Sequence, residues 1–215
     1  MNKRVVVTRP NHDFTTRYLS YWAQKVIAAA ERKGDQVLDL KQTRATRREF
    51  ESVVEKLGPD FIFLNGHGNT QCVTGQDNES LVAVGENEVI LRGTVVYALS
   101  CQAARKLGPA AVRAGTNAFI GYTGDFIFYR DTAKQTRPHH DSVARKFLDP
   151  SNQIPLSLLK GNTAQQAQVS GKGAFRKNIR KLLTSETSAQ DTSLLSALVW
   201  DMTHLECIGD PASVI

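Results

Sequence analysis

FIFLNGHGN (residues 61–69) and VVYALSC (residues 95–101) decide how this chain is read. Each starts as a short, continuously apolar run and ends on a reactive side chain, His67 in the first and Cys101 in the second. Apolar runs without alternation suit strands of a parallel sheet covered on both faces. In open parallel sheets, reactive groups collect at the carboxyl ends of the strands. The two side chains lie 34 positions apart (101 − 67). If the two strands are neighbours, both groups emerge at one edge of the sheet.

Outward from this pair, strands and helices alternate. KRVVVT (3–8) reads as a first buried strand. Residues 13–33 predict a helix, with Leu19, Trp22, Ala23, Val26, Ala29 and Ala30 on a helical period and Gly34 as its stop. Residues 36–40 give a second strand, 46–57 a helix closed by Gly58-Pro59, 60–64 a third strand, 94–100 a fourth and 117–122 a fifth. Residues 102–114 predict a helix that Gly108-Pro109 must bend or restart. Residues 65–93 form a functional loop, with a small hairpin expected from LVAV (81–84) and VIL (89–91). After residue 123 a loop gives way to helices near 139–149, 155–183 and 189–205. The expected fold class is α/β: an open, mainly parallel sheet flanked by helices in an α/β/α sandwich, with a helical C-terminal portion. A single domain is expected over residues 1–215, its sheet core at about 1–126 and its helical remainder at about 139–207.

Composition narrows the function classes. The 215 residues are 41% hydrophobic, enough for one domain with a substantial core. MNKRVVVTRP turns polar after three valines, so no apolar leader follows the basic start, and no apolar run reaches membrane-spanning length. The expectation is a cytosolic protein with no membrane partner. A net charge of +6 is mildly basic, but it is scattered. Its densest cluster, Lys172, Arg176, Lys177, Arg180 and Lys181, reads as a solvated helix face rather than a nucleic-acid site. Cys72, Cys101 and Cys207 are too few for a disulfide framework and lack zinc-ligand spacing. No metal and no cofactor are expected.

The chemistry that remains is that of a thiol. A thiolate is the nucleophile, and a nearby imidazole takes its proton or raises its population. Glycines on both sides of His67 let backbone approach a substrate closely. The amide N–H groups of Gly68 and Cys101 could then face a developing oxyanion. A helix starting directly after Cys101 would favour the thiolate through its dipole. Other candidates read as structural. Cys72 follows no strand, Cys207 follows a helical segment, and Ser100 points to the opposite side of its strand from Cys101. His139-His140 before Asp141 reads as a helix-start turn rather than a metal site, and His204 belongs to a late helix. The stretch 123–140, with Arg130, Lys134 and Arg137, is a long loop that could gate substrate, be self-cleaved, or equally be an ordinary mobile loop.

A hydrophobic block ending in His-Gly, followed by a second ending in a small residue and Cys, resembles the caspase-like peptidase clan: caspases, legumain, clostripain, separase, gingipains and CHAT-domain proteases. The chain is most similar to the gingipain and CHAT branch, through FLNGHGN (63–69), YALSCQAARKLG (97–108), GTNAFIGYTGDF (115–126) and IGDP (208–211). It departs from many members in lacking Gly soon after Cys101, which is followed by Gln102-Ala103-Ala104. The resemblance implies a cysteine endopeptidase with a His67–Cys101 dyad, acting on a protein or peptide substrate, with room for a regulatory protein partner. It also implies a specificity pocket lined from the ends of strands one, four and five, which here offer Asp13, Leu99 and Asp125. Two carboxylates favour cleavage after Arg or Lys. Asp13 could instead cap the helix that begins near Phe14, and Arg9 could reverse the preference if it turned inward. Two alternatives stand beside this reading. One is a catalytically silent adaptor on the same scaffold; the other is a cysteine hydrolase of amidotransferase type.

Overall fold

The computed structural model of the chain describes residues 2–184 and 192–215. Its centre is a six-stranded sheet in the order β2-β1-β3-β6-β7-β8. The strands are β1 (Arg4–Arg9), β2 (Gln36–Lys41), β3 (Phe61–Asn65), β6 (Val95–Leu99), β7 (Ala118–Tyr122) and β8 (Leu205–Gly209). All neighbours are parallel except β7 and β8, which run antiparallel. Valine, isoleucine and aromatic residues dominate β1, β3, β6 and β7, and such residues pack well on a pleated surface. The chain is α/β, with a mostly parallel sheet flanked by helices.

Strand alternation sorts the core into two layers. Val5, Val7, Phe61, Phe63, Val95, Tyr97 and Leu99 face α1 (Phe14–Arg32), α4 (Ser142–Leu159) and α5 (Ala164–Leu182). Val6, Ile62, Leu64, Val96 and Ala98 face α2 (Arg47–Leu57) and α3 (Leu107–Arg113). α6 (Leu195–His204) packs with Phe147 of α4 and Phe175 of α5 in a third, smaller cluster. No described helix is long and apolar enough to cross a membrane.

Several expectations need correction. The small hairpin is not made by residues 81–84 and 89–91. β4 (Cys72–Thr74) pairs with β5 (Ser80–Ala83), whereas Glu88–Leu91 is a 3₁₀ turn whose Leu91 is buried. Asn87 fixes that turn by accepting the Ala83 N–H and donating to the Leu81 carbonyl. The expected helix over 102–114 shortens to α3, and residues 101–106 form successive turns. Gln102 sits at φ 55°, a left-handed conformation that an α-helix cannot contain. Pro109 is tolerated because it lies in the first turn of α3, where backbone N–H groups have no intrahelical partner.

The helices expected at 139–149 and 155–183 divide elsewhere. α4 runs through Pro150 and Pro155, and the break falls at Gly161–Thr163. Pro150 cannot donate to the Lys146 carbonyl four residues back; Asn178 of α5 donates its Nδ2–H to that carbonyl instead, at 2.7 Å. Thr163 and Gln166 then open α5 with a capping box. Of the helix expected at 189–205, residues 189–191 lie outside the described residues, α6 spans Leu195–His204, and Leu205 already belongs to β8. The chain then turns into β8, where Cys207 pairs with Ile120.

Candidate active site

The geometry of the site starts from sheet register. Each β3 residue pairs with the β6 residue 34 positions later, from Phe61 with Val95 to Asn65 with Leu99. His67 and Cys101, each two residues past the end of its strand, are separated by the same offset. Neighbouring strands lie about 4.8 Å apart, so side chains from matched positions can meet.

The His67 turn is held from three sides. At the end of β3, Asn65 is fully buried; its N–H donates to Thr8 Oγ1, whose hydroxyl donates back to the Asn65 carbonyl. Behind the turn, Thr74 donates its N–H to the His67 carbonyl at 2.9 Å, and Asn69 donates its N–H to the Cys72 carbonyl at 3.0 Å. These two bonds flank the Gly68–Val73 bridge, a pattern that turns the Gly68 N–H away from β4. On the third side Gly68 lies against the Cys101 turn. A Cβ there would come within 2.1 Å of Ser100 Oγ, 2.7 Å of the Cys72 carbonyl and 3.3 Å of the Cys101 carbonyl. Only glycine permits this approach.

Asp13 meets His67 from β1's side of the sheet. Its Oδ1 accepts both the N–H and the hydroxyl of Thr16, each at 2.8 Å, which makes it the N-cap of α1 within a capping box. Its Oδ2 lies 2.5 Å from His67 Nε2. Partial burial by itself would raise this carboxyl, but the bonds from Thr16 and His67 outweigh it and hold the group down to about 2. An ionised Asp13 accepts the Nε2–H of His67, so in the neutral imidazole the lone pair lies on Nδ1.

His12 completes the cluster, and the sequence reading did not single it out. Its Nε2 is 3.9 Å from Asp13 Oδ2, and its ring stands edge-on to His67 at 6.0 Å. The tandem His12-Asp13 directly before a helix was the available signal. His12, Asp13 and His67 lie close enough to share a metal ion. However, His12 Nδ1 accepts the Asp77 N–H at 3.1 Å, so its Nε2 must carry the proton, and that nitrogen faces Asn78 Oδ1. A protonated Nε2 has no lone pair for a metal, and the donor set does not fit one.

Cys101 sits half-buried in the turn after β6, its Sγ 4.0 Å from the Phe126 carbonyl. The turn is tied to the loop after β7: Gln102 donates its N–H to the Gly124 carbonyl, and Ala104 its N–H to the Tyr122 carbonyl. Burial pushes the Cys101 thiol up, and the nearby Asp125 carboxylate adds to the effect. The expected dipole of a helix beginning at residue 102 is missing, because α3 starts five residues later. The resting group is therefore a thiol, not a preformed thiolate.

The expected pocket residues occupy different environments. Asp125 is exposed; its Oδ1 accepts from Gln102 Nε2 at 2.8 Å, and its carbonyl accepts from Trp200 Nε1. Leu99 is 1% exposed and belongs to the core under α1 and α4, so it presents no open wall. Asp13 has both oxygens engaged. Arg9 turns away from the site, with its guanidinium bonded to Asp39 and to the Ser20 carbonyl.

Ser100 is buried against Gly68, and Cys72 lies on β4. His139 bonds the Tyr21 carbonyl, and His204 stacks on Trp200. Asp201 of α6 was not foreseen. It is fully buried, accepts the Ile127 N–H at 2.9 Å, and leaves Oδ2 without a partner. Burial holds its carboxyl well above the usual range.

At the carboxyl edge of a mostly parallel sheet, an imidazole bonded to a carboxylate follows β3 and a half-buried thiol follows the neighbouring β6, with Gly68 packed against the Cys101 turn. No family model matches the chain, and no curated protein matches it.

Proposed function

We propose that this chain is a caspase-like cysteine endopeptidase in which His67 and Cys101 are the catalytic pair and Asp13 orients the imidazole. The observation that carries the reading is the shared offset of 34: it pairs β3 with β6 and also separates the two reactive residues. The close approach of Gly68 to the Cys101 turn supports it independently.

In this reading His67 Nδ1 takes the Cys101 proton as the sulfur attacks the scissile carbonyl. The carbonyl oxygen becomes an oxyanion facing the N–H groups of Gly68 and Cys101. On collapse the C–N bond breaks, and the imidazolium returns its proton to the departing amine. Water, deprotonated by the same imidazole, then hydrolyses the thioester and regenerates the thiol. Asp125, exposed beside the nucleophile, supports a preference for Arg or Lys before the scissile bond.

A silent adaptor is the competing reading, and the raised thiol favours it. A peptidyl chloromethyl ketone ending in arginine tests between them. The peptidase reading expects alkylation of Cys101, faster than that of Cys72 and Cys207 and slowed in His67→Ala. Equal, slow alkylation of all three thiols supports the adaptor.

A further inference from the structure

Immediately beside Asp13, the first residue of α1 is an exposed aromatic ring. Phe14 is 46% exposed and carries two guanidinium groups: Arg17 at 5.4 Å and Arg130 at 4.9 Å from the ring centre. One comes from α1 and the other from the loop after β7, so the fold brings them together over 113 positions (130 − 17). Among the described residues neither has a carboxylate at ion-pair distance, and the Arg130 Nε–H is buried with no acceptor. A buried N–H of a charged group without an acceptor is costly. Two like charges held on one ring repel each other unless an anion lies between them. The aromatic face orients both guanidiniums without satisfying their N–H groups.

We propose that Arg17, Arg130 and Phe14 form a substrate subsite that takes an acidic side chain, Asp or Glu, on the leaving-group side of the scissile bond. The side follows from the order of elements along the sheet edge: Asp13 after β1, His67 after β3, Cys101 after β6. The imidazole must reach the departing amine, so chain beyond that amine runs past His67 towards β1 and the start of α1. There the carboxylate would meet the Arg130 and Arg17 guanidiniums gathered on Phe14 in charge-assisted bonds. The subsite rests on the peptidase reading and adds to it a second charge rule: a basic residue before the cut and an acidic one after it.

The test uses fluorescein-labelled twelve-residue peptides with a central arginine followed by three glutamates or three glutamines. Binding to the full chain carrying Cys101→Ala is followed by fluorescence anisotropy, and cleavage by wild type is followed by mass spectrometry. The glutamate peptide should bind about tenfold more tightly. That ratio should fall in Arg17→Gln and in Arg130→Gln, vanish in the double variant, and persist in Arg48→Gln, a change on the exposed surface of α2. Equal binding of the two peptides, or a preference that survives the double variant, overturns the subsite while leaving the peptidase reading intact if wild type cleaves. Binding and cleavage of neither peptide overturn both.

Discussion

Asp13 uses one oxygen to start a helix and the other to hold a histidine, and substitutions can separate the two uses. Serine is as good an N-cap as aspartate, whereas alanine is poor and costs about 1 kcal/mol. Asp13→Ser should therefore keep the cap and lose only the carboxylate's bond to His67, and Asp13→Ala, which loses both, should be the less stable of the two. Both should lose turnover, because neither can hold the Nε2–H of His67. Turnover at the wild-type level in Asp13→Ser would leave the carboxylate with its cap alone. The group also sets a pH window. Its folded value of about 2 lies below the ordinary 3.8, so the stability it contributes is present above pH 4 and is lost as pH falls towards 2. The acid limb of the unfolding curve should flatten in Asp13→Ser. Cys101 gives a second residue-scale prediction. Because burial and Asp125 hold the thiol protonated, its reaction with iodoacetamide should rise at a more alkaline pH than that of a free thiol. Asp125→Asn removes the negative charge and should shift that profile towards neutrality; an unchanged profile would remove Asp125 from the thiol's surroundings.

At the scale of elements, tight backbone approaches do the positioning. A Cβ on Gly68 meets Ser100 and two carbonyls, so Gly68→Ala should destabilise the fold by about 1–3 kcal/mol and push the His67 turn away from Cys101. Denaturant titration and turnover should both register the change. A stable, fully active Gly68→Ala would show that the two turns need not touch. Asp201 joins α6 to the loop behind Cys101 through the Ile127 N–H. Its carboxyl is raised in the folded chain, so folding favours the protonated form, and the group costs stability increasingly as pH climbs above the ordinary 3.8. Asp201→Asn keeps an acceptor for Ile127 without the charge. It should be more stable than wild type at pH 8, with the gap closing towards pH 4; a less stable variant at pH 8 would mean the carboxylate is ionised and compensated.

Strands and most helices were legible because periodicity records burial directly. What escaped were features set by distant partners. α4 passes through Pro150 because Asn178 satisfies the freed carbonyl. β8 exists because β7 offers an edge. Residues after Cys101 turn rather than coil because Gln102 and Ala104 bond the next strand's end.

For the whole molecule, the sheet gathers its chemistry at one edge. Asp13, His67, Cys101 and Asp125 follow β1, β3, β6 and β7, and these four strands are consecutive in the sheet. The sequence placed all four at strand ends but could not distribute their roles. Asp13 was read as a pocket acid or a cap, and its bond to His67 depends on the approach of β1 to β3. Leu99 looked like a pocket wall from its distance to Cys101, yet strand alternation turns it into the core. The proposed His67–Cys101 pair stood out because its spacing equals the β3–β6 register. The most direct test of that dyad is digestion of a diverse peptide library by wild type, His67→Ala and Cys101→Ala, with cleavage sites read by mass spectrometry. Wild type should cut, with Arg or Lys before the scissile bond. His67→Ala should be slower by at least about a hundredfold, and Cys101→Ala should be inactive while remaining folded. Undiminished cleavage by Cys101→Ala, or no cleavage by a folded wild type, would contradict the assignment.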